Sequence, residues 1–458
     1  MHLPFQLQLW HGLTLLHLAA VATGLLLYVV LTHSGKQHRP PSAAIAWIVS
    51  LLAFPYLALP VYLLLGTRKL AHAAAVPAGL PQDGPPLTRG LDIPPPRHCR
   101  QVVLDADGPA ALEALLLLLD GATRQIDIEM FIFRADAVGQ RVAAALRRAV
   151  QRGVAVRVLV DGLGDFAWRR QTRRLLREAG VQLRWFSPVR LRLRPQFGRG
   201  NLRNHRKLVI VDARTAWSGG RNLADEYFLD GPQGPAWQDL SFSFDGELVE
   251  EACRCFAADW ALAGGAGLLP ANPGASSTPG TLQAQLLPSG PDRREDTAHD
   301  LYLTACYRSD ARIWLATPYF VPDDALQAAL GQAARRGVEV RLLLPARSNH
   351  RLADIARERS LRELSAAGVH VHLLGRMLHA KLALFDASLA SCGSLNLDGR
   401  SLFLNYELNT LFFDEDTIAG FSSWFERSWA QSFPYAARAP GWWRDTVEGL
   451  VRAVGFQL

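Results

Sequence analysis

Two long apolar runs open the chain, and a short polar segment separates them. Residues 13–31 are almost wholly apolar, and residues 43–65 form a second run that contains Pro55. Each run has about the 20 residues that an α-helix needs to cross the hydrocarbon core of a bilayer. Residues 33–42 between them are polar enough for a loop, so the pattern predicts a transmembrane helical hairpin over residues 1–70.

The charges around these runs bear on the alternatives to a hairpin. A signal peptide is disfavoured because no Lys or Arg precedes the first run. A re-entrant segment or a pair of buried core helices is the remaining alternative. Lys36 and Arg39 lie in the loop, while Arg68 and Lys69 follow the second run, so positive charge specifies the orientation only weakly.

The rest of the chain alternates helical and strand-like patterns, and one such alternation occurs twice. Residues 145–160 form a helical pattern closed by Gly153 and followed by an apolar strand, and residues 329–344 repeat it with Gly337. A helix followed directly by a buried strand is typical of a sheet flanked by helices. The repeat predicts an α/β fold of two similar units packed against each other.

Each unit contains an apolar run that follows a histidine and a lysine. The shared pattern is His-x-Lys-x4-Asp, and its residues are His205, Lys207, Asp212, His379, Lys381 and Asp386. The four residues between each lysine and aspartate are apolar, as expected for a strand buried on both faces. Side chains two residues apart on a strand share a face, so the histidine and lysine of each motif point the same way.

A turn of small residues and an asparagine follow each motif histidine at the same distances. They lie 14, 15 and 17 residues further on, and are Gly219, Gly220 and Asn222 in the first unit and Gly393, Ser394 and Asn396 in the second. Small residues let the backbone approach a ligand closely, and an amide supplies neutral donors. Coincidence is a poor explanation of so many matched positions, so the sequence predicts two related oxyanion sites.

These residue types suit the chemistry of phosphate esters. When two imidazoles lie at one site, one can attack phosphorus while the other protonates the leaving oxygen, and the roles reverse in the second half-reaction. Two lysines and two asparagines would stabilise the phosphate oxygens. The sequence therefore predicts catalysis that needs no metal and no other cofactor.

With these motifs, the chain resembles the phospholipase D superfamily and, more narrowly, the bacterial cardiolipin synthases. The narrower resemblance rests on residues 393–401 with Asn405 and Glu407, on residues 237–239, and on residues 41–47. It implies two tandem phospholipase D-like α/β/α sandwich units that form a pseudo-twofold pair behind the membrane hairpin.

The resemblance also implies an acidic residue that orients each catalytic histidine. Glu407, 28 residues after His379, fits this role for His379. For His205 the better candidate is Asp239, and Glu226 is the other. By the same resemblance His205 is the nucleophile and His379 the general acid, although the near-symmetric motifs leave the reverse assignment open.

The first unit carries a basic segment that the second unit lacks. It contains eight cations without an intervening acid, namely Arg184, Arg190, Arg192, Arg194, Arg199, Arg203, Arg206 and Lys207. A solvated surface is the ordinary meaning of such a run. Beside a phosphodiester site it would attract anionic lipid headgroups, or equally a nucleic acid backbone. The apolar N-terminus favours lipid.

Composition between these parts marks the expected domain limits. Residues 71–98, rich in Ala, Pro and Gly, and residues 266–296, rich in Pro, Gly and Ser, are expected to be linkers. They delimit a first phospholipase D-like domain over residues 99–265 and a second over residues 297–436. Residues 437–458 are expected to form a C-terminal amphipathic helix.

The apolar stripe of this C-terminal helix has two interpretations. Its residues are Trp443, Val447, Leu450 and Val454. Such a stripe most often packs against the core, here that of the second domain. The alternative is a helix that lies in the membrane interface.

The leading hypothesis is a phosphatidyltransferase that converts two phosphatidylglycerol molecules into cardiolipin and glycerol through a phosphatidyl-histidine. Its partners would be anionic phospholipids, phosphatidylglycerol and cardiolipin, with nucleic acid disfavoured. Its location would be the bacterial cytoplasmic membrane, as a multi-pass protein with a cytoplasmic catalytic region. The rivals are a membrane-anchored phospholipase D or nuclease that hydrolyses by the same chemistry, and a non-catalytic lipid-binding relative. Five cysteines predict no disulfide framework, and the oligomeric state is not predicted.

Overall fold

The computed structural model describes residues 5–34, 41–70, 85–164, 166–187, 199–232, 234–266 and 280–453. These residues fall into two compact units. The smaller, called the helical unit, contains the described parts of Met1–Ala75, Val189–Leu202 and Pro291–Arg294. The larger, called the α/β unit, contains the remaining described residues, including both His-x-Lys motifs.

The helical unit is formed mainly by the two apolar runs. Helix α1 spans Phe5–Ser34, α2 spans Pro41–Ala53 and α3 spans Pro55–Leu65. Within α1, residues 10–32 have a mean hydropathy of 2.1, and among the described helices α1 is the one that is long and apolar enough to cross a membrane. The first predicted membrane helix is therefore supported.

The second apolar run forms two short helices instead of one long helix. Pro55 lacks the N–H that would continue the α2 ladder, and a proline disfavours helical geometry in the residue before it. Phe54 accordingly has φ −138° and ψ 56°. Neither α2 nor α3 alone reaches the length of a membrane span. The structure thus does not support the multi-pass prediction.

The α/β unit contains the following elements in chain order. Its first half has β1 (Arg97–Cys99), β2 (Val102–Asp105), α4 (Gly108–Asp120), β3 (Gln125–Met130), α5 (Ala137–Gln151), β4 (Ala155–Asp161), α6 (Arg169–Glu178), β5 (Gln182–Phe186), β6 (Leu208–Val211), β7 (Thr215–Gly219), β8 (Ser241–Asp245) and α7 (Leu248–Leu262). Its second half has β9 (Leu282–Ser289), α8 (Thr297–Arg308), β10 (Arg312–Ala316), β11 (Phe320–Val321), α9 (Asp324–Arg335), β12 (Glu339–Pro345), α10 (Arg351–Ala366), β13 (His370–Leu374), β14 (Leu382–Phe385), β15 (Leu389–Gly393), β16 (Leu397–Asp398), α11 (Gly399–Phe403), β17 (Glu407–Phe412), α12 (Glu415–Ala430), β18 (Ser432–Pro434) and α13 (Trp442–Ala453).

The strands form two large sheets of matching topology. Within the described residues, the first sheet has the order β2-β8-β7-β6-β3-β4-β5, and the second has the order β1-β9-β17-β15-β14-β10-β12-β13-β18. From β9 to β13, the second sheet repeats the first in strand order, with a parallel set (β3-β4-β5 and β10-β12-β13) beside an antiparallel set. The predicted duplication of one α/β unit is confirmed.

Each half buries its own apolar core between sheet and helices. In the first half Ile128 of β3 and Leu146 of α5 belong to one buried cluster. In the second half Leu342 of β12 and Leu364 of α10 belong to another. Burying one such side chain contributes roughly 1.5–3 kcal/mol to the free energy of unfolding. Equivalent buried positions in the two halves therefore stabilise two similar sandwiches.

Two strands lie where the sequence suggested linkers. β1 pairs antiparallel with β9 at the edge of the second sheet, although residues 71–98 were expected to be a linker and residues 99–265 the first domain. β9 itself falls within residues 266–296, the second expected linker, and pairs with β17. The strand that precedes the first half therefore belongs to the sheet of the second half.

Aromatic side chains join the two halves. The ring centroid of Phe242 in β8 lies 5.3 Å from that of Phe412 in β17 and 6.3 Å from that of Phe421 in α12. All three side chains are buried. Such aromatic pairs add about 0.5–1.5 kcal/mol each to the effect of buried area, so this cluster holds the halves in one orientation.

The C-terminal helix α13 exposes part of its apolar stripe. Val451 is partly buried against the second half. Trp443 and Val447, however, are 72% and 46% exposed, so the expectation of core packing is wrong for these two residues. The side chains of Leu450 and Val454 lie outside the described part of the chain.

Candidate active site

The two motif histidines lie at equivalent edges of the two sheets. Strands β3 and β4 run parallel, and β6 runs antiparallel to β3 with Leu208 opposite Glu129. His205 and Lys207, just before β6, therefore lie at the carboxyl edge of the parallel strands. β14 has the same relation to β10 and β12, which places His379 at the same edge of the second sheet.

Backbone hydrogen bonds bring these two edges together. The N–H of His205 donates to the carbonyl oxygen of Tyr406 at 2.9 Å, and the N–H of His379 donates to that of Gln238 at 2.7 Å. Tyr406 and Gln238 each directly precede an acidic residue. Each motif is thus held against the segment of the other half that carries a carboxylate.

The carboxylate beside each histidine comes from the opposite half. Nδ1 of His205 lies 3.0 Å from both carboxylate oxygens of Glu407, and Nδ1 of His379 lies 2.7 Å from Oδ2 of Asp239. The sequence prediction paired Glu407 with His379, and Asp239 or Glu226 with His205. That pairing is wrong, because it assumed that each half completes its own site.

The small turn residues support these carboxylates. A Cβ atom at Gly220 would lie 2.1 Å from Oδ1 of Asp239, so only glycine fits there. Ser394 donates from its hydroxyl to Glu407 at 2.5 Å. Asn405, which the sequence prediction did not place in the site, donates from its amide to the same carboxylate at 3.2 Å.

The motif lysines are buried beside the histidines. Nζ of Lys207 donates to the carbonyl oxygen of His205 at 2.6 Å. Nζ of Lys381 donates to that of His379 at 2.5 Å and lies 3.0 Å from its Nε2. The expectation that histidine and lysine share one face of each strand is thereby met, since both ammonium groups reach back to the histidine.

The two asparagines differ in their surroundings. Nδ2 of Asn222 donates to the hydroxyl of Tyr227 at 2.8 Å, and its Oδ1 accepts from the N–H of Ile132 at 3.2 Å. Oδ1 of Asn396 is buried and has no hydrogen-bond partner among the described residues. An amide oxygen accepts hydrogen bonds and the amide NH₂ group donates them, so the NH₂ group of Asn396 is the part that suits a phosphate.

The motif aspartates lie at the far end of their strands from the histidines. Asp212 accepts hydrogen bonds from the backbone N–H groups of Thr123, Arg124 and Gln125. Asp386 makes the same contacts with residues 310–312. Each aspartate lies five positions after its lysine along the extended strand, a distance of about 16 Å. The structure therefore does not bring Asp212 and Asp386 into the site, and the prediction of a catalytic role for them is not supported.

Part of the predicted basic segment is structural. Arg203 is buried and lies 3.8 Å from Asp161, and Arg206 is buried in an ion pair with Asp259. These two cations are thus not available to a surface ligand, contrary to the expectation for the whole run. The central residues of the segment, Arg190, Arg192 and Arg194, lie outside the described residues.

Burial keeps both imidazoles neutral near pH 7. It lowers the pKa of His205 to about 4, although Glu407 opposes the shift. Burial, reinforced by the charge of Lys381, lowers the pKa of His379 to about 3. A neutral imidazole that donates Nδ1–H to a carboxylate exposes a lone pair on Nε2, which is the form needed for attack on phosphorus.

The four charged groups beside the histidines balance one another. Burial raises the pKa of Glu407 and Asp239, but the neighbouring histidines and lysines outweigh it and hold both values below normal. Burial and the nearby second lysine lower the pKa of Lys207 to about 7. Burial lowers the pKa of Lys381 to about 8. Two lysines and two carboxylates are thus buried together beside the histidines.

Aromatic residues that the sequence analysis did not assign to the site lie beside the histidines. The ring of Phe131 lies 4.9 Å from that of His205, centroid to centroid. Tyr227 and Trp237 lie 5.0 and 5.5 Å from His379. Trp237 stands two residues before Asp239 and was therefore detectable, whereas Phe131 lies in an ordinary apolar run that gives no such signal. Among the described residues no group of three or more His, Cys, Asp and Glu side chains is placed to hold a metal ion.

The chain matches family models over most of its length. Residues 115–260 and 303–429 match the family described as cardiolipin synthase, phospholipase D-like domain. Residues 21–66 match the N-terminal region of the phospholipase D–nuclease family.

Individual relatives extend this similarity to nearly the whole chain. A cardiolipin synthase of Geobacillus kaustophilus is 30% identical, with 89% of this chain and 87% of the relative covered. Cardiolipin synthase A of Pseudomonas aeruginosa is 32% identical, with 92% and 91% covered.

One solved structure shows the same fold. The crystal structure of a phosphatidylserine synthase from Haemophilus influenzae superposes with a TM-score of 0.62 at 14% identity, covering 81% of this chain and 98% of that one. Together with the duplicated sheets and the paired motifs, these similarities establish that the chain belongs to the cardiolipin synthase family of phospholipase D-like proteins.

Proposed function

We propose that this protein is a cardiolipin synthase-type phosphatidyltransferase, which converts two phosphatidylglycerol molecules into cardiolipin and glycerol. One observation carries the proposal: each histidine is paired with a carboxylate from the other half, so the two imidazoles serve a single site. Relatives that cover 89% and 92% of this chain bear the name cardiolipin synthase.

In the first step, Nε2 of His205 attacks the phosphorus of one phosphatidylglycerol. A P–N bond forms, the bond from phosphorus to the glycerol headgroup breaks, and His379 protonates the departing glycerol oxygen. His379 needs a proton for this step, and the bound phosphodiester anion supplies the charge that raises its pKa. Glu407 stabilises the positive charge that develops on His205.

In the second step, a second phosphatidylglycerol supplies the acceptor. Its terminal headgroup hydroxyl attacks phosphorus, the P–N bond breaks, and the hydroxyl proton passes to His379, which Asp239 orients. The products are cardiolipin and the free enzyme in its starting protonation state. Transfer in place of hydrolysis requires water to be largely excluded at this stage, and the aromatic ring of Phe131 beside His205 contributes to that exclusion.

We assign the phosphate oxygens to the lysines and asparagines. Lys207 and Lys381 provide two buried charges next to the histidines. Asn396, whose amide oxygen has no hydrogen-bond partner among the described residues, would turn its NH₂ group to donate to a phosphate oxygen. Asn222 is engaged with Tyr227 and Ile132, so its role would be to position the wall of the site.

A membrane location follows from α1 and from the family, and its details are proposals. We place the protein in a bacterial cytoplasmic membrane, with the catalytic region on the cytoplasmic side. The membrane segment would be residues 1–70, with α1 as its crossing helix. The two catalytic domains would remain residues 99–265 and 297–436. Strands β1 and β9 would both be added to the second domain, whose sheet they join.

Product analysis in liposomes tests the proposed function. Purified full-length protein in phosphatidylglycerol liposomes is expected to form cardiolipin and free glycerol in equal amounts. The His379→Ala variant should lower the rate by about 10²–10⁴-fold, as expected for the loss of a general acid. The His370→Ala variant removes an exposed histidine at the opposite edge of the same sheet, and it should leave the rate unchanged.

The same experiment discriminates the rival functions. Accumulation of phosphatidic acid without cardiolipin would show that the protein is a phospholipase D. Cleavage of DNA without lipid turnover would show that the protein is a nuclease. Full activity in the His379→Ala variant would show that His379 is not a catalytic residue.

A further inference from the structure

An exposed segment of the first half combines apolar side chains with nearby arginines. It joins β4 to α6, and its side chains Leu163, Phe166 and Trp168 are 46%, 58% and 38% exposed. We call these three residues the apolar rim. Scattered single apolar residues on a surface need no explanation, but three large ones within six positions form a patch.

The apolar rim adjoins the active site. Gly164 lies in the same segment, and a Cβ atom there would come within 2.8 Å of the Phe131 ring, which in turn packs against His205. The Asp161 carboxylate accepts hydrogen bonds from the N–H groups of both Leu163 and Asn204, at 2.7 and 3.0 Å. The rim is therefore fixed to the same carboxyl edge of the sheet that holds the catalytic histidine.

Helix α6, which begins at Arg169 immediately after the rim, carries several positive charges. Arg170, Arg173 and Arg177 of this helix are exposed. Arg174 is also exposed and pairs with Glu178. Aromatic and aliphatic side chains next to several arginines are the composition of surfaces that lie in the interface of an anionic bilayer.

The second half presents a comparable surface by other means. Helix α10 follows β12 as α6 follows β4, and α13 packs on α10 through the ion pairs of Glu448 with Arg362 and of Arg444 with Glu358. This arrangement leaves Trp442 of α13 70% exposed, beside the exposed Trp443. Exposed aromatic rings thus lie just before α6 in the first half, and on α13, which packs against α10, in the second half.

We propose that the apolar rim and the tryptophans of α13 are the surfaces by which the α/β unit enters the boundary between headgroups and acyl chains of an anionic bilayer. The carboxyl edges of the two sheets, and with them the histidines, then face the membrane. A phosphodiester at headgroup level can reach the site without its lipid leaving the bilayer. The inference rests on the proposed function in taking phospholipid as the partner.

Depth-dependent fluorescence quenching tests this orientation in the full-length protein. A polarity-sensitive dye is attached to the new cysteine of Phe166→Cys or Trp443→Cys in bilayer discs that contain phosphatidylglycerol. The parent protein is treated with the same dye, and the signal from its five native cysteines is subtracted. The control is Ala387→Cys, an exposed position that follows β14 at the end opposite to His379.

The expected result is a blue-shifted emission at both test positions, because an interfacial surface enters the bilayer by about 5–10 Å. Lipids with a spin label high on the acyl chain should quench these dyes at least twofold more strongly than the dye at Ala387→Cys. Replacing phosphatidylglycerol by phosphatidylcholine, or changing Arg170 and Arg173 to Glu, should weaken the quenching. Leu163→Cys repeats the measurement at a second rim position if Phe166→Cys folds poorly.

Equal quenching at the test and control positions would overturn the proposal. A blue shift without lipid quenching would also overturn it, since the rim would then be covered by protein, such as a second copy of the chain. The measurement is repeated in a His379→Ala background. Lipid quenching there would support the surface even if the protein proved not to make cardiolipin, so the two proposals can fail separately.

Discussion

At the residue scale, the charges of the site explain why both imidazoles can be neutral and still be ready for reaction. The ammonium groups of Lys207 and Lys381 offset the carboxylates of Asp239 and Glu407, all of them buried. An incoming phosphodiester adds one negative charge, which favours one proton on an imidazole. Substrate binding therefore creates the acid–base pair that the free enzyme lacks.

The pH dependence of kcat/KM follows from these groups. Activity is expected to require neutral His205, whose pKa is lowered to about 4, and charged Lys207, whose pKa is lowered to about 7. The lysine loses its charge as pH rises through its pKa, so the rate should fall on the alkaline side, above about pH 7. The rate should stay level from pH 5 to 6.5. Initial rates in phosphatidylglycerol liposomes from pH 5 to about pH 9 measure both the level region and the alkaline fall.

A Lys207→Arg variant is the matched test of this assignment. Arginine remains charged throughout the range. The residual activity of the variant should therefore no longer fall near pH 7, and any fall at higher pH should reflect the loss of charge on Lys381. An unchanged alkaline limb would show that another group controls it.

At the element scale, the turns after β7 and β15 act on the carboxylates of the crossed pairs. Gly220 lies against Asp239, and Ser394 donates to Glu407. Both turns position a carboxylate. The turn at Gly220 does so by leaving space for it, and the turn at Ser394 does so by donating a hydrogen bond to it. Their duplication in the sequence reflects the position of each turn beside the carboxylate that follows it in the same half.

Substitution of Gly220 should disturb catalysis through Asp239. In Gly220→Ala the new methyl group would overlap the carboxylate, and a displacement of about 1 Å in such a site lowers the rate by about 100-fold. Gly231→Ala is the control, because a Cβ atom there meets nothing within 4 Å. Rates near normal for Gly220→Ala would contradict the described contact.

The motif aspartates should matter for stability more than for chemistry. Although partial burial raises the pKa of Asp212, its hydrogen bonds with residues 123–125 lower it below normal. Asp212→Asn weakens these bonds and is expected to reduce the free energy of unfolding by about 1–3 kcal/mol. Thermal unfolding measures this loss, and the rate of the folded fraction should remain within a few-fold of the parent. A large loss of rate without a loss of stability would instead place Asp212 in the mechanism.

The elements that repeat in the sequence were predictable, and the contacts between repeats were not. The apolar runs before Asp212 and Asp386 identified two buried strands, and the helix–glycine–strand pattern identified the sheet class. The partner of each histidine was missed because Glu407 and Asp239 lie 28 and 34 residues after the histidine of their own half, and spacing along the chain does not reveal a crossing in space. The break at Pro55 could have been predicted from proline's missing N–H.

At the scale of the whole molecule, the two halves of the α/β unit form one catalytic structure. The first half lacks Glu407 and the second lacks Asp239, while β1 completes the second sheet. The aromatic contacts of Phe242 with Phe412 maintain this arrangement. A duplicated domain has thereby become a single site that neither copy can form alone.

Separation of the halves tests this dependence. Residues 1–266 and 280–458 expressed alone should each show no lipid turnover, because each contains one histidine without its carboxylate. Their co-expression should restore activity, measured as cardiolipin in extracted lipids. Turnover by either half alone would contradict the shared site.

The central claim is that one site, made by both halves, transfers a phosphatidyl group through His205. The most direct measurement is mass spectrometry of peptides from protein quenched in alkaline denaturant during turnover of phosphatidylglycerol. The account predicts a phosphatidyl adduct on the peptide that contains His205, present in the parent and absent in Glu407→Gln. An adduct on His379, or its persistence in Glu407→Gln with loss in Asp239→Asn, would contradict it.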